Sequence, residues 1–476
     1  MSDADLFLPP SQAVPARSGP PFQGDLTQGP ILKTLLLFSV PTLISNLIQT
    51  LNGSINAIWV GRLLGETALA ATANANVVMF LLLAAVFGFG MATTVRVGQH
   101  FGAGNIEAAR RTFGTGIGFC TIIAVVVGVL GWFLSPALLN VLATPRESLA
   151  EAQAYLRVIF ITMPFGTVSM MVSMGLRGAG DSRTPLNAMI LTVVLDIVLN
   201  PLLIRGIGPI PPLGIVGSAL STALANLLGS ALMIATVYRK DLPLRLCGAE
   251  LGYLIPKAED LRYVVTKGLP MGAQILLVSA SQLVMVGLVN REGVDTTAGY
   301  GVSMQLWNFL QMPAFAISSA VSAMVAQSIG AGDHDRVDAV NSVGLKTNLV
   351  LTTTFAALIV VFARPLLGLF LGPDSPAVPI AVHIQLICTW TFTLTGVMMI
   401  LTGTMRAYGA VILPLVIMAV SLYLVRLGFY FLAHSWLGGE ALWWAYPVGS
   451  VASVSLTWLA YSKGNWRNNR DLAYLR

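Results

Sequence analysis

Long apolar stretches, separated by short polar or charged ones, run through almost the whole chain after residue 30. Each is about 20 residues or longer, the length that an α-helix needs to cross a bilayer. Some contain Gly, Pro, Asn and Gln, which a membrane helix tolerates only where it packs against protein or lines a cavity. We therefore predict twelve transmembrane helices, over 31–61, 68–97, 112–134, 152–177, 185–205, 214–238, 263–289, 297–325, 341–363, 380–407, 411–433 and 440–461.

Three polar segments divide this array. Residues 1–30 are rich in Pro, Gly and Ser and lack the basic start and apolar core of a signal peptide. We expect them to form a disordered cytoplasmic tail. The charged stretch 239–262 is the predicted cytoplasmic linker between an N-lobe of helices 1–6 (31–238) and a C-lobe of helices 7–12 (263–462). Residues 463–476 are the predicted cytoplasmic C-terminal tail.

An internal repeat relates the two sets of six spans. One constant offset superposes several prolines and one arginine of the first half on the same residue types in the second, and an offset shorter by a single position superposes the QxxGAG hexapeptides 99–104 and 327–332. Six spans per half means that both halves enter the membrane in the same direction, as in transporters built from parallel repeats. We therefore predict an all-α polytopic membrane protein with two pseudo-symmetric six-helix lobes around a cleft. The pairs superposed by the constant offset include Pro41 and Pro270, Pro136 and Pro365, Arg177 and Arg406, and Pro185 and Pro414.

Charge is scarce and unevenly placed. Only 10% of the residues are charged, against about a quarter in soluble domains. With the N-terminus inside, 20 of the 27 Lys and Arg residues lie on the cytoplasmic side, 6 lie outside and Arg426 falls within a span. The positive-inside rule then places both termini in the cytoplasm. We expect the protein in the inner (plasma) membrane. The net charge of +6 reflects this orientation rather than nucleic-acid binding. Three widely separated cysteines predict neither a disulfide framework nor a metal site.

One carboxylate, Asp196, lies deep within a predicted span, helix 5. Acids inside membrane helices are costly to insert and commonly mark proton or ion pathways, although a structural Asp within the bundle is the alternative. Asn200 lies one turn later on the same helix face. In helix 1, Gln49, Asn52 and Asn56 belong to a polar stripe that lipid cannot satisfy. We predict that this stripe lines a cavity, whereas any single amide could instead join helices through hydrogen bonds.

The second half has no acid at a comparable depth. Its amides in helices 7 and 8 are predicted, with Gln49 and Asn52, to line a substrate cleft. Arg426, within helix 11, must face protein or extend to the interface, and we expect a structural role for it. The glycines of the QxxGAG hexapeptides are explained by helix capping and a tight turn. The amides are Gln274, Gln282, Gln305 and Asn308.

Five segments together resemble a known family. They are NAIWVGRLLGETALAA at the end of helix 1, QHFGAGNIEAAR after helix 2, RGAGDSRTP after helix 4, LDIVLNPLLI in helix 5 and GIVGSALSTALAN in helix 6. The chain is similar over about 31–463 to the multidrug and toxic compound extrusion (MATE) family. The resemblance implies a V-shaped pair of six-helix lobes. It also implies export of organic cations and other amphipathic compounds, driven by inward flow of protons or sodium.

The resemblance also assigns residues to the coupling site, with departures. Many bacterial members carry an acid in helix 1 where this chain has Asn56. Many also have an acid directly before the helix-5 proline and an Asn one turn earlier, whereas here Asn200 precedes Pro201 and Asp196 lies one turn before it. Thr222 matches a helix-6 position of the same cation site. Coupling is therefore predicted to run through the N-lobe, with Asp196 as its carboxylate. Protons are favoured over sodium, because one carboxylate among amides is a weak cage for a metal cation.

We predict a secondary antiporter, working as a monomer in the lipid bilayer without a bound cofactor or metal, that exports small cationic or amphipathic molecules. Two other functions stay open. A flippase for a lipid or a lipid-linked oligosaccharide would need a cationic cleft, and no Lys or Arg cluster lies mid-span. A membrane-embedded enzyme would need a constellation centred on His or acid, whereas the four histidines fall in loops or near helix ends. The chain has no Walker motif, which argues against ATP-driven transport.

Overall fold

The computed structural model describes residues 25–141, 146–206 and 211–467, and the regular elements found there are helical. In the first half, each predicted span falls within a single long helix. Such helices satisfy their own backbone hydrogen bonds, which a bilayer core requires. The six helices are α1 (Ile31–Leu64), α2 (Glu66–Gly102), α3 (Ile106–Val141), α4 (Arg146–Gly178), α5 (Arg183–Arg205) and α6 (Gly214–Arg239).

The second half repeats this order with three interruptions. The ninth span continues into a short helix, the tenth bends by 44° between two helices, and the eleventh contains a π-helix, Val420–Leu427. Ten helices of the described residues are long and apolar enough to cross a membrane, or eleven with the bent pair, and the 24-residue α15 supplies the twelfth. The twelve-span prediction is confirmed. The helices are α7 (Ala258–Val289), α8 (Val294–Gly330), α9 (His334–Val361), α10 (Ala363–Leu371), α11 (Ala377–Cys388), α12 (Thr391–Ala407), α13 (Ile412–Ala419), α14 (Gly428–Leu437) and α15 (Glu440–Lys463).

The linker between the halves packs against α3. Its 3₁₀-helix, Gly248–Leu254, is held by an ion pair of 2.7 Å between Arg110 and Glu250. Desolvation opposes the ionised form of Glu250, but hydrogen bonds from the Cys247 N–H and from Arg110 outweigh it and lower the pKa of this carboxyl below its ordinary range. Helix α7 begins at Ala258, earlier than the predicted 263, because acids in the first turn favour a helix N-terminus. We call the end of the bundle that carries this linker the linker face.

The described residues before α1 and after α15 meet the C-lobe at the linker face. Residues 1–24 of the predicted N-terminal tail lie outside the described residues, but Leu26 is buried. Its N–H donates to Gln327 Oε1 at 2.9 Å, and its carbonyl accepts from Arg336 at 3.0 Å. In the predicted C-terminal tail, Trp466 is also buried, and residues 468–476 lie outside the described part. The segment before α1 is therefore attached to the opposite lobe.

The two QxxGAG hexapeptides form a reciprocal contact between the lobes. Gln99, near the end of α2, donates to the carbonyl of Ala407 at 2.7 Å. Gln327, its counterpart in α8, donates to the carbonyl of Gly178 at 3.1 Å. Gly178 and Ala407 are themselves repeat-related, since each directly follows one arginine of the superposed pair Arg177 and Arg406. We call this contact the seam.

The glycines of the hexapeptides have two different roles. Gly104 and Gly332 have φ angles of 77° and 75°, so they end α2 and α8 in the conformation that glycine favours. Gly102 and Gly330 instead allow the helices to touch through their backbones. A Cβ at Gly102 would lie 1.9 Å from the backbone carbonyl oxygen of Gln327. A Cβ at Gly330 would lie 1.9 Å from the backbone carbonyl oxygen of Gln99. The predicted explanation, capping and a tight turn, was therefore incomplete.

Candidate functional site

Asp196 lies in the middle of α5, 13 residues after its first residue and so roughly 20 Å along the helix from the linker face. Its side chain has no exposed surface, and neither has that of Asn200. Helix α5 packs against α1 and α6, so this face of α5 is turned towards protein rather than lipid. The carboxylate is therefore inside the N-lobe at the depth of the membrane.

Four side chains from α1 and α6 donate hydrogen bonds to this carboxylate. Asn52 and Asn56 reach Oδ2 at 2.9 and 2.7 Å. Ser221 reaches Oδ1 at 2.7 Å, and Thr222 lies 3.2 and 3.3 Å from the two oxygens. Amides of α1 and hydroxyls of α6 thus converge on one acid of α5.

Asn200 extends the network by one step. Its amide donates to Asn56 Oδ1 at 2.9 Å, which orients the Asn56 N–H towards Asp196. The Oδ1 atoms of Asn52 and Asn200 are buried and have no hydrogen-bond partner among the described residues. The cluster therefore holds a carboxylate, a surrounding set of neutral donors and two free acceptors.

The hydrogen bonds to Asp196 can offset the free-energy cost of placing an acid inside the membrane. An Asp at the centre of a membrane helix costs about 3 kcal/mol on insertion scales, and a hydrogen bond to a charged group contributes about 1.5–3 kcal/mol. Two such bonds are enough to offset the cost. Within the described residues, Asp196 forms no salt bridge with Lys, Arg or His. The donors around this carboxylate are therefore neutral dipoles and not a cation.

The structure brings together the four residues predicted for ion coupling: Asp196, Asn200, Asn56 and Thr222. Asn52, predicted for the substrate cleft, also belongs to this cluster. Ser221 was not predicted, although its position beside Thr222 in an apolar helix was a signal.

The other predicted cleft residues have varied surroundings. Gln274 is buried, and its amide donates to the Val411 carbonyl at 3.3 Å. It therefore joins α7 to the segment that leads into α13. Gln282 and Gln305 are half-buried, whereas Gln49 and Asn308 are exposed. Hydrogen bonds do not tie any of these five side chains to Asp196.

The MatE family model matches residues 41–202 and 270–432, more than two-thirds of the chain. This chain belongs to the MATE family. The two matched ranges begin at the superposed prolines Pro41 and Pro270, and the second range is longer than the first by a single residue. The predicted resemblance is confirmed, and both lobes belong to it.

Relatives and solved structures are similar to this MATE protein over nearly its whole length. The probable multidrug resistance protein YoeA of Bacillus subtilis is 32% identical over 92% of this chain and 95% of its own length. The FAD transporter of Shewanella oneidensis is 26% identical over 90% of this chain and 93% of its own. The Vibrio cholerae MATE transporter VcmN in its bent form has a TM-score of 0.83 at 22% identity, over 94% and 98% of the two chains. This chain is a multi-pass membrane protein of a transporter family with multidrug resistance members.

Proposed function

We propose that this MATE protein is an antiporter that exports organic cations and other amphipathic compounds across the inner membrane in exchange for protons. The observation that carries the proposal is the Asp196 cluster: one carboxylate, deep in the membrane, held by neutral donors from two other helices. Relatives are named for multidrug resistance and for FAD transport, so the choice of cationic substrates is part of the proposal.

The orientation of the amides supports a proton over sodium. Asn52 and Asn56 turn N–H groups towards Asp196, whereas a sodium site needs several oxygen ligands around the ion. A proton needs only a carboxylate oxygen and room for one donor to turn away. A sodium ion at Asp196 would have to displace these two N–H donors from Oδ2, so the two ions predict different arrangements of the same residues.

Alternating access supplies the rest of the mechanism. We place the linker face and both termini in the cytoplasm, as the distribution of Lys and Arg indicates. The seam then closes the cytoplasmic side, and substrate and proton exchange with the outside. Opening the seam would expose the predicted cleft between the lobes to the cytoplasm. The groups of the Asp196 cluster come from one chain, so a monomer is sufficient.

The test is efflux from proteoliposomes that contain the purified protein and a fluorescent organic cation. An imposed pH gradient is expected to drive transport, and a sodium gradient at equal pH is expected to have no effect. A protonophore is the control, because it must abolish the first signal. Transport that responds to sodium alone would contradict the choice of ion, and absence of transport under either gradient would contradict the antiport proposal.

A further inference from the structure

Residues 25–30, which lead into α1, are bound to the C-lobe, and we call them the strap. Arg336, in the first turn of α9, donates to three backbone carbonyls of the strap. They belong to Leu26 at 3.0 Å, Gln28 at 3.1 Å and Gly29 at 3.3 Å. A guanidinium carries several N–H donors in a fixed arrangement, and hydrogen bonds from a charged donor are stronger than those between neutral groups. One side chain of the C-lobe therefore holds a run of strap backbone.

The strap also contacts the seam. The Leu26 N–H donates to Gln327 Oε1 at 2.9 Å, and Nε2 of the same amide donates to the Gly178 carbonyl of the N-lobe at 3.1 Å. Leu26 and Gln327 are both buried. The oxygen and the nitrogen of a side-chain amide lie on opposite sides of its carbon, so a donor that holds the oxygen turns the N–H groups the other way. The strap therefore orients the amide that joins the two lobes.

The other half of the seam is oriented without the strap. Gln99, the repeat counterpart of Gln327, accepts through its oxygen from Arg96 of the same helix at 3.4 Å. The offset that superposes the hexapeptides places Met324 at the position of Arg96, and a thioether has no hydrogen to donate. The Leu26 N–H supplies the donor that α8 lacks at this position. The C-lobe half of the seam thus depends on a segment that precedes the repeat.

The strap connects the C-lobe to a helix that is bound inside the N-lobe. Helix α1 follows the strap directly and packs against α5, where Asn52 and Asn56 bind Asp196. When the lobes part at the linker face, α1 therefore has to leave either the C-lobe or α5. The bonds from Arg336 to the strap oppose the first movement, and the bonds to Asp196 oppose the second.

We propose that the strap is a latch: it holds the seam closed at the linker face and must leave Arg336 and Gln327 before the lobes part there. Asp25 and Leu26 also line a cavity of about 410 Å³, together with N-lobe residues such as Gly180, so there is space beside the strap for it to move. The inference rests on the proposed alternating access. It differs from simple anchoring of the chain before α1, which would stabilise the fold without changing the ratio of open to closed seam.

The test measures the distance between the lobes by double electron–electron resonance on the full-length protein in lipid nanodiscs. Spin labels are attached to Arg239→Cys, at the end of α6, and to Lys463→Cys, at the end of α15, and both positions are exposed. Cys247→Ser removes the exposed thiol from this background, and the other two cysteines are buried. A protein with the wild-type strap is expected to give mainly the short distance of the closed seam. The measurement needs neither a substrate nor an ion gradient, so it does not depend on the coupling ion.

Weakening the strap is expected to lengthen this distance. Arg336→Gln should raise the ratio of the long to the short distance at least ~10-fold, the equivalent of one hydrogen bond from a charged donor. Leu26→Ala should act in the same direction, because it leaves less apolar surface to bury when the strap is bound. Arg336→Lys, which keeps a charged donor, should give an intermediate ratio. Asp338→Asn is the matched control, because it breaks an ion pair of 2.6 Å between α9 and Arg467 and should leave the ratio unchanged.

Gly102→Ala shows whether the distance reports an open seam, since its Cβ would lie 1.9 Å from the Gln327 backbone oxygen. A longer distance in Gly102→Ala, but not in folded Arg336→Gln and Leu26→Ala proteins, would contradict the latch and leave alternating access standing. A short distance in all three variants would contradict both proposals. Lower stability of the two strap variants with an unchanged ratio would assign the strap to anchoring, which also contradicts the latch.

Discussion

The Asn56 amide of α1 lies 2.7 Å from Asp196 Oδ2 of α5, while its own oxygen accepts from Asn200 at 2.9 Å. The contact between Asn56 and Asp196 joins α1 directly to the acid of α5. A carboxylate that binds a proton acquires a donor where it had an acceptor, so a donor facing that oxygen must turn away or move. Helix α1 also contains Pro41, which removes a backbone hydrogen bond and eases bending.

Replacing Asn56 with Leu should break the contact between α1 and Asp196. The variant removes one donor from Asp196 and the acceptor of Asn200, and we expect pH-driven efflux to fall about 10-fold, the effect of losing one hydrogen bond to a charged group. The measurement is efflux from proteoliposomes at equal protein content. Asn46→Leu is the control, because Asn46 lies in the same helix outside the cluster. An Asn56→Leu protein with wild-type efflux would contradict the role of this pair.

At the seam we expect a glycine-to-alanine substitution to destabilise the protein. Glycine to alanine within a helix normally stabilises by about 1 kcal/mol. A Cβ at Gly102 would instead lie 1.9 Å from the Gln327 backbone oxygen, so Gly102→Ala should push α2 and α8 apart. We expect faster amide hydrogen exchange at the linker-face ends of both helices. Gly53→Ala is the matched control, since nothing lies within 4 Å of its Cβ position. Unchanged exchange in the Gly102 variant would mean that the seam is looser than described.

Asp260 should be a stabilising residue at the junction of the lobes. It is 2% exposed and accepts from Arg111 Nε and Thr112 Oγ1 of α3, each at 2.7 Å. Asp260→Asn removes the charge from both hydrogen bonds, and a hydrogen bond to a charged group contributes about 1.5–3 kcal/mol, so this substitution should lower the unfolding temperature by several degrees. The neighbouring Glu259 is 62% exposed and 3.6 Å from Arg111, and Glu259→Gln should change little. Equal effects of the two substitutions would refute this account.

Much of the fold could be read from the sequence because membrane helices are recognisable by their length and apolarity. The repeat offset placed the two halves, and the polar residues of α1 and α5 led to the Asp196 cluster. These inferences succeed because an amide or acid in hydrocarbon must find a partner. Their limit is visible at Gln274, which was predicted to line a cleft and donates to a backbone carbonyl instead. Either partner satisfies the amide, so the sequence does not distinguish them.

Other features depend on which helices meet. Gly102 and Gly330 are explained by a contact between segments from opposite halves of the chain, which no local pattern reveals. The π-helix around Arg426 lies in an apolar run indistinguishable from ordinary α-helix, so the sequence did not predict it. Ser221 had a weaker signal still, because a serine in a membrane helix often bonds to its own backbone.

The central claim is that Asp196 carries the proton whose movement drives export. The most direct measurement is the uptake of protons into the lumen of proteoliposomes, reported by a pH-sensitive dye, when a substrate gradient is imposed. Wild-type protein should move protons against the direction of the substrate. Asp196→Asn should still exchange labelled for unlabelled substrate, since the amide preserves the shape of the site, but should move no protons. Asp295→Asn, at an exposed acid of α8, should behave as wild type. Substrate-driven proton movement that persists in Asp196→Asn would contradict the account.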